Sequence, residues 1–362
     1  MNYRLTQIQS SVTLSDNRTD TYDIDITEPI SRIIIQLKGT NADSVPDGHP
    51  AKAISKIELV DGAQILYSMS GEEAQATDFY DTGIAPLNVV SYVSANQWTC
   101  LINMNFGRWL WDTELAFDPK RFTTPQLKIT HKVADTAGSS TTSTTSSITI
   151  YAQCFDQKTI SPKGFLLNKE VFSYTIGAEN TYEYFDIPKD FPIRRMMIQA
   201  LYVGYETHQI VNEFKISEDN DKRIVYDVKV SDYLKIVCPE YGKYHETLVV
   251  AATTGTVAFY TAADYEFSMG FMPTVDVDTG FQLTAYPLGG RLYLTGAAST
   301  EGMIDVEGYA PHGCIPIWCG DQDEINDWYD VRKVGSLVMR LKAGSLGGTA
   351  VPKIVIQQFR PY

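Results

Sequence analysis

The chain has 362 residues, and its 30 Lys and Arg against 44 Asp and Glu give a formal net charge of −14. A surface of this sign repels phosphate, and no concentrated run of basic residues opposes it, which argues against nucleic-acid binding as the main task. Hydrophobic residues make up 44% and charged residues 20%, the balance of a globular protein. Because single hydrophobic cores stop growing at about 250–300 residues, two domains are expected.

Neither a signal peptide nor a membrane-spanning helix is predicted. The N-terminal residues MNYRLTQIQSSVTL lack a basic start followed by an apolar core, and no apolar run reaches the length of about 18 residues that a spanning helix needs. The five cysteines are odd in number and scattered through the chain. We expect free buried thiols of a reducing compartment, and no metal site built from them.

The first half of the chain is predicted to consist of short strands and one short helix. Residues 29–36, PISRIIIQ, form a strand entered through a proline, which suits the edge or start of a sheet. Ser70 and Glu73 have the S-x-x-E spacing of a capping box, which predicts a helix through about Tyr80. The two strands of a hairpin are expected at 57–59 and 65–69. A segment with an aromatic residue, an aspartate and two bases lies at 117–121, and two further strands follow at 127–129 and 148–153.

The second half repeats this series in the same order. Residues 192–199, PIRRMMIQ, match 29–36 at five positions and lie 163 residues later. A hairpin at 214–228 is followed by a weaker helix start at 231–234. A segment with an aromatic residue, an aspartate and two bases lies at 329–333, and two strands follow at 339–341 and 354–357. Five matched features in one order predict a duplication.

The duplication divides the chain at a linker. Residues 158–164 carry Pro and Gly between two periodic regions, so the predicted domains are a first sandwich at 1–160 and a second at 161–362. The second half spends many more residues between its short helix and its next matched strand, which predicts a β insertion at about 239–312, at one end of the second sandwich. About eight short strands in each half must form two packed sheets of the jelly-roll or Greek-key type. The absence of crossover helices excludes a parallel α/β fold.

This architecture resembles the double jelly-roll major capsid proteins of tailless icosahedral viruses, including membrane-containing bacteriophages and adenoviruses. The resemblance covers nearly the whole chain and rests on the tandem sandwiches, the short linker, the short helix after the early hairpin and the insertion at one end. It implies an all-β chain of two jelly rolls, three copies of which fill a pseudo-hexagonal position in an icosahedral shell.

The resemblance also implies where the protein acts and with what. Its partners would be other copies of itself as a homotrimer, neighbouring capsomers, minor capsid and vertex proteins, and an inner viral membrane as a further candidate. The expected location is the virion, with assembly in the host cytoplasm. Neither a cofactor nor direct nucleic-acid binding is expected.

Jelly-roll connectivity, if the resemblance holds, sorts the loops between two ends. The outer end would hold the loop at 39–53, the Ser/Thr run at 139–147 and the insertion, while the inner end would hold the termini, the linker and the two basic segments. The bases expected at the inner end are Arg4, Lys120, Arg121, Lys158, Lys163, Arg194, Arg195, Arg332, Lys333 and Arg360. One hypothesis is contact with anionic lipid headgroups through Lys120, Arg121, Lys158, Lys163, Arg332 and Lys333. The other is pairing within the subunit with Asp118, Asp330 and Glu28.

Patterns for catalysis or metal binding are weak, and we predict no catalytic, cofactor-binding or metal-binding residue. The histidines are solitary, so a cupin-type metal site is not expected, and each is expected in a loop or on a strand surface: His49, His131, His208, His245 and His312. The acidic stretches at 276–280 and 320–324 are interpreted as a turn and as the cap of a short helix running to Tyr329, rather than as calcium loops. Neither a G-x-S-x-G motif nor a phosphate-binding loop is present.

A second hypothesis is a carbohydrate-binding or glycan-processing tandem β-sandwich. Aromatic faces such as those in 108–111, RWLW, bind sugars, although aromatic residues of this kind are more often core or interface anchors. Asp112 and Glu114 are too close in sequence to set the separation that a glycosidase needs. The candidates for core or interface are Trp98, Trp109, Trp111, Trp318 and Trp328. The leading hypothesis is a structural capsid protein and not an enzyme; the alternative predicts a monomer with sugar affinity.

Overall fold

The computed structural model describes residues 1–15, 17–42, 46–135, 146–252, 256–271, 282–283, 287–295 and 300–362. The acidic stretch at 276–280 and most of the Ser/Thr run at 139–147 lie outside these residues. The strands are β1 (Tyr3–Thr13), β2 (Arg18–Asp23), β3 (Ile30–Thr40), β4 (Ile54–Asp61), β5 (Gln64–Met69), β6 (Val90–Ser91), β7 (Gln97–Asn105), β8 (Pro125–His131), β9 (Ser147–Phe155), β10 (Gly164–Ser173), β11 (Tyr182–Asp186), β12 (Ile193–Gln199), β13 (Val211–Glu218), β14 (Arg223–Lys229), β15 (Tyr244–Ala252), β16 (Thr256–Phe259), β17 (Asp264–Phe271), β18 (Gln282–Leu283), β19 (Arg291–Thr295), β20 (Thr300–Tyr309), β21 (Cys314–Trp318), β22 (Leu337–Ala343) and β23 (Lys353–Pro361).

Helices are short and few in the described part of the chain. The α-helices are α1 (Gly71–Thr82), α2 (Thr207–Ile210) and α3 (Val230–Tyr241). The single-turn 3-10 helices are Pro50–Ala53, Pro119–Arg121, Val133–Asp135, Pro311–Gly313, Ile325–Asp327 and Val331–Lys333. Among the described residues no helix combines the length and the apolar character that crossing a bilayer requires.

Two jelly rolls have the same strand order. The first roll has sheets β1-β9-β3-β7 and β2-β8-β4-β5, and the second has β10-β23-β12-β21 and β11-β22-β13-β14. Each strand of the first roll therefore has a counterpart in the same position of the second roll. For example, β1 corresponds to β10, β3 to β12 and β9 to β23. Apart from the leading prolines, PISRIIIQ lies in β3 and PIRRMMIQ in β12, and each strand is third in its sheet. The predicted duplication and the double jelly-roll fold are confirmed.

Alternating side chains explain why these segments form sandwiches. In β3, Ile33, Ile35 and Leu37 are fully buried, and the residues between them are partly exposed. Such a period of two places one apolar face on the core of a two-sheet sandwich. In β12 all seven residues are buried, because its second face packs against the first roll instead of facing water.

Helix α1 lies between the two rolls. Its start is the predicted capping box: the Glu73 N–H donates to Ser70 Oγ over 3.2 Å, and the Ser70 N–H donates to Glu73 Oε2 over 2.7 Å. The helix ends at Gly83, whose φ of 68° is left-handed and therefore suits glycine. Beside it, β5 and β10 pair in parallel at Ser68 and Lys169, which joins one sheet of each roll into an eight-stranded sheet.

The molecule has two ends, which we name the terminal end and the insertion end. The terminal end comprises residues 1–2, 106–124, 156–163, 319–336 and 361–362. Backbone bonds link these segments: the Asp156 N–H donates to the Asn2 carbonyl over 2.8 Å and the Tyr362 N–H to the Lys163 carbonyl over 3.2 Å. The insertion end comprises residues 41–42, 46–53, 92–96 and 310–313 together with strands β15 to β20.

The insertion has the predicted strands, and it packs against the first roll as well. Its larger sheet has the order β17-β20-β15-β6, and β6 belongs to the first roll. Buried residues of the insertion, including Leu248, Val250 and Ile304, share one hydrophobic cluster with the core of the first roll. The expectation that the insertion lies at one end of the second sandwich is therefore incomplete, since it covers the end of the first as well.

Several smaller expectations can be compared with the structure. All five cysteines are free and buried, as predicted. The expectation that the histidines lie in loops or on strand surfaces is wrong for His131, which is fully buried in β8. His49 and His312 lie in connecting segments, as expected, but are at most 5% exposed. The helix expected after residues 320–324 is only the single turn Ile325–Asp327, capped by Glu324, whose carboxylate accepts from the Asn326 N–H.

Candidate assembly surfaces

A buried ionic cluster joins the two rolls. Asp81, near the end of α1, accepts hydrogen bonds from Arg194 Nη1 over 2.5 Å and from Arg195 Nη2 over 2.7 Å. All three side chains are at most 2% exposed. Gln357 also donates to the Asp81 carboxylate. Burial lowers the pKa of Arg194, and the nearby Asp81 carboxylate opposes this shift.

The same helix meets the corresponding strand of each roll through equivalent arginines. Arg32 in β3 and Arg195 in β12 occupy the same place in the repeated sequence. Arg32 Nη2 lies 3.8 Å from Asp78 Oδ1, and Arg195 Nη2 lies 2.7 Å from Asp81 Oδ1. Because Asp78 and Asp81 are three residues apart on α1, one helix fixes both rolls. Arg194 and Arg195, expected among the bases of the inner end, are buried, and Arg194 also donates to the Gln322 carbonyl of the terminal end over 2.8 Å.

Three of the six bases expected to contact lipid surround Tyr362 at the terminal end. The Tyr362 hydroxyl accepts from the Asp118 N–H and donates to the Ala116 carbonyl, beside the turn that carries Lys120 and Arg121. The Arg121 guanidinium lies 5.5 Å from the Tyr362 ring and 3.6 Å from the Asp118 carboxylate. Lys163, whose carbonyl accepts from the Tyr362 N–H, pairs with Glu114.

The other three bases have their own partners at the same end. Lys158 Nζ donates to the Tyr3 hydroxyl over 3.1 Å. Arg332 and Lys333 lie 2.7 and 3.1 Å from the Asp330 carboxylate and lower its pKa to about 2. The carboxylates therefore offset part of the positive charge, as the hypothesis of pairing within the subunit requires. The side chains of Arg332 and Lys333 are still 55% and 82% exposed, so their charges also face water.

The segment 108–114 is bound into the terminal end. The Arg108 guanidinium donates to both Asp112 and Glu114 and, over 2.6 Å, to the Asp323 carbonyl of the second roll. It also lies 4.3 Å from the Trp109 ring. Trp111 packs on Tyr3 with a centroid distance of 4.2 Å. The two carboxylates thus serve an ion pair with Arg108.

The tryptophans divide between core and surface. Trp98 is fully buried, and Trp328 is 3% exposed in a small cluster with Leu115 of the first roll and Leu166 of the second. Trp318 stacks on Tyr241 with an interplanar angle of 7°. Trp109 is 48% exposed. It is therefore the tryptophan most open to a partner among the residues described.

An apolar patch lies on an exposed face of the insertion. Phe267 and Met269 in β17 are 60% and 61% exposed, and Met303 in β20 is 41% exposed. Phe267 and Met269 are two residues apart on one strand, so both side chains point to the same face. The pairing of Phe271 with Met303 places Met303 on that face as well. We name these three residues the insertion patch.

A second apolar patch follows helix α1. Ile84, Leu87 and Val89 are 71%, 80% and 53% exposed. Val89 forms a bridge with Thr99, and the next two residues form β6, the edge strand of the large insertion sheet. We name Ile84, Leu87 and Val89 the loop patch. Sequence reasoning missed both patches, although the run IAPLNVV at 84–90 is apolar without a helical or strand period and could have marked a surface loop for contact.

A buried polar cluster underlies the insertion. The Ala51 N–H donates to His49 Nδ1, so His49 carries its proton on Nε2 and donates to Glu246 Oε1 over 3.1 Å. The Thr261 N–H donates to Glu246 Oε2 over 3.0 Å. Burial raises the pKa of Glu246, but His49 and these hydrogen bonds bring it below the usual value. The His312 ring lies 5.0 Å from that of His49, and burial lowers its pKa well below the usual value.

A groove opens beside this cluster. Its cavity measures about 700 Å³, and its wall includes Tyr202, Tyr205, Tyr260 and Arg291. Tyr202 and Tyr205 are each 38% exposed, with ring centroids 5.5 Å apart. Aromatic rings beside an arginine suit the face of a sugar ring. This groove is the feature on which the carbohydrate-binding hypothesis can be tested.

Neither a family model nor a curated protein matches the sequence. Solved structures match over nearly the whole chain. The major capsid protein of Sulfolobus Turreted Icosahedral Virus is 12% identical with a TM-score of 0.60, and the match covers 99% of this chain and 96% of that one. The major capsid protein of bacteriophage PM2 is 9% identical with a TM-score of 0.57, over 99% and 98% of the two chains. The PBCV-1 virus capsid gives 10% identity and a TM-score of 0.57, over 99% and 94%. The chain therefore has the double jelly-roll fold of these viral major capsid proteins.

Proposed function

We propose that the chain is the major capsid subunit of a tailless icosahedral virus and acts by self-assembly rather than by catalysis. The full-length likeness to solved major capsid proteins supports the role. This role depends most on the buried ionic cluster at α1, in which Asp81 binds Arg194 and Arg195 and so holds two equivalent rolls side by side. We name this cluster of Asp81, Arg194 and Arg195 the joint. Three copies of a subunit with two equivalent lobes can form a capsomer with six lobes and a pseudo-hexagonal outline.

The proposed stable unit is a homotrimer. The insertion patch and the loop patch support it, because apolar side chains that are 41–80% exposed gain free energy when a partner removes them from water. Obligate interfaces are large and apolar, and they make the oligomer the stable species. We propose that both patches lie in contacts between subunits.

Light scattering on the purified protein tests the trimer. A chain of 40.5 kDa predicts a trimer of about 120 kDa that persists on dilution. A monodisperse monomer would overturn the proposal. If that monomer also bound glycans, and lost binding on Tyr202→Ala, the carbohydrate-binding alternative would replace it.

We further propose that the terminal end faces inward and, where a membrane underlies the shell, touches anionic headgroups through Lys120, Arg121, Lys158, Lys163, Arg332 and Lys333. A base near such a surface contributes about 1 kcal/mol of binding. Flotation with anionic vesicles at low salt tests this contact. Binding should weaken in a variant with Lys120, Arg332 and Lys333 changed to Gln. It should persist in a control with Gln at Lys52, at the insertion end, and at Lys243, which pairs with Glu307 of β20. Failure of the unmodified protein to float would refute the lipid contact.

The finer organisation is proposed on the same basis. The two rolls would comprise residues 1–160 and 161–362, and the shell would assemble in the host cytoplasm with minor capsid and vertex proteins. The domain boundary can be tested by splitting the chain after residue 160 and expressing both pieces together. Reassembly into a particle of the parent mass is expected. Pieces recovered only as unfolded or aggregated material would show that the division is misplaced.

A further inference from the structure

Three potential metal ligands meet where the insertion joins the second roll. Glu206 precedes α2, His208 lies within it, and Asp264 begins β17 of the insertion. One ligand atom from each side chain lies within 4.8 Å of the other two. His208 Nδ1 is 3.2 Å from Glu206 Oε2. The sequence separates Asp264 from His208 by 56 residues, so only the fold brings them together.

Asp264 is the observation that distinguishes this cluster from an ordinary group of surface acids. Its side chain is fully buried, and Oδ1 has no hydrogen-bond partner among the described residues. Oδ2 accepts from the Thr207 N–H over 3.2 Å. A buried carboxylate oxygen that has no hydrogen-bond partner, beside the Glu206 carboxylate and the His208 imidazole, is a donor available to a cation.

We propose that Glu206, His208 and Asp264 bind one divalent transition-metal ion such as Zn²⁺. An imidazole nitrogen with two carboxylate oxygens is a donor set that such ions accept, whereas Ca²⁺ and Mg²⁺ prefer oxygen ligands alone. Tetrahedral Zn²⁺ with bonds of about 2.0–2.1 Å separates its ligands by about 3.3 Å. His208 Nδ1 and Glu206 Oε2 already lie 3.2 Å apart, so only the distances to Asp264 must close, by at most about 1.5 Å. The side chains of Glu206 and His208 are 23% and 34% exposed, which leaves the ion a path from solvent.

The role of this site is structural. Glu206 and His208 belong to the second roll and Asp264 to the insertion, so a bound ion fastens the insertion to the roll from which it departs. The main core of the insertion lies on the first roll. The metal therefore completes the attachment of the insertion to both rolls.

Binding of Zn²⁺ to the full-length protein, stripped with chelator and dialysed, tests the proposal. Titration calorimetry should give one ion per chain, and thermal melting should shift upward. At a free ion concentration of 100 times Kd the folding equilibrium constant should rise about 100-fold. Co²⁺ in place of Zn²⁺ should give visible absorption bands typical of a nitrogen and oxygen donor set.

Two variants and one control make the result specific. Asp264→Asn keeps an oxygen that can accept from Thr207 but loses the charge, and His208→Gln changes a partly exposed side chain; both should abolish binding and the melting shift. His245→Gln removes a histidine that is 59% exposed and should change neither. Absence of saturable Zn²⁺ binding, binding that survives Asp264→Asn, or equal loss in His245→Gln would overturn the proposal. Preference for Ca²⁺ or Mg²⁺ over Zn²⁺ would overturn the assignment to a transition metal.

Discussion

The Asp81→Asn substitution should weaken the joint between the two rolls. The introduced asparagine is nearly the same size as the aspartate and keeps one oxygen that can accept a hydrogen bond. The substitution removes the one negative charge that both Arg194 and Arg195 contact, at 2.5 and 2.7 Å. The two guanidinium groups would then be left buried without a carboxylate between them.

The size of the effect follows from burial. Removing one partner of a buried ion pair costs about 3–5 kcal/mol, because the remaining charge has lost its water and its counterion together. Here one carboxylate serves two cations that are each at most 2% exposed, so the loss should fall within that range. Arg195 Nη1 already has no hydrogen-bond partner in the described structure, so this cluster has little capacity to compensate.

Urea unfolding followed by tryptophan fluorescence at fixed protein concentration measures the loss. The matched control is Glu28→Gln, which removes the partner of Arg4 in a pair whose side chains are 31% and 39% exposed, and which should cost at most about 1 kcal/mol. Arg195→Met should also cost less in the Asp81→Asn background than in the unmodified protein. A loss for Asp81→Asn no larger than that for Glu28→Gln would refute the account of the joint.

Three further predictions concern the thiols, the buried histidine and the apolar patches. The native protein should react very slowly with thiol reagents at pH 8. Burial raises the pKa of Cys154, Cys238 and Cys319 to about 12, so only about one in ten thousand of these thiols is ionised at that pH. In the unfolded chain all five cysteines should react with the reagent. The pKa of His312 in the folded protein lies below its unfolded value of about 6.5, so the unfolded chain binds an extra proton and the free energy of unfolding should fall by up to about 1.4 kcal/mol per pH unit below pH 6.5. His312→Asn should reduce that slope, measured by urea unfolding at pH 5.5 and 7.5. Asparagine is chosen because φ at this position is 50°, a conformation that asparagine tolerates. Phe267→Ser should lower the trimer fraction in light scattering while changing the stability of the chain by about 0.5 kcal/mol or less.

Each of these expectations has an outcome that would contradict it. Rapid modification of a native thiol would mean that the cysteine concerned is not held in the core. An unchanged acid slope in His312→Asn would assign the pH dependence to other groups. For the insertion patch, Phe267→Leu is the matched control and should keep the trimer; a trimer equally intact in Phe267→Ser would place the patch outside the subunit contacts.

The sequence predicts the fold well because the patterns that indicate the strands, the helix and the duplication are local. The strand period of two, the capping box at Ser70 and Glu73, and the matched segments at 29–36 and 192–199 each depend on neighbours in the chain. Equivalent strands of two rolls need the same apolar face, so the duplication remained visible in PISRIIIQ and PIRRMMIQ.

The joint and the candidate metal cluster depend on contacts that the sequence does not display. Arg194 and Arg195 look like surface bases, and only their contact with Asp81, 113 and 114 residues away, explains their burial. The sequence predicts the strands of the insertion, but no local pattern indicates which hydrophobic core these strands pack against. The Glu206-x-His208 spacing was available in the sequence and was overlooked, while Asp264 is added by the fold alone.

Electron microscopy of the purified particle tests the central claim most directly. Three two-lobed chains predict a particle with threefold symmetry and six barrels around its axis, hexagonal in outline when viewed along that axis. Barrels of the two kinds should alternate around the ring, since each chain supplies one of each. Isolated two-lobed monomers, or dimers with twofold symmetry, would contradict the claim that this chain is a capsid subunit.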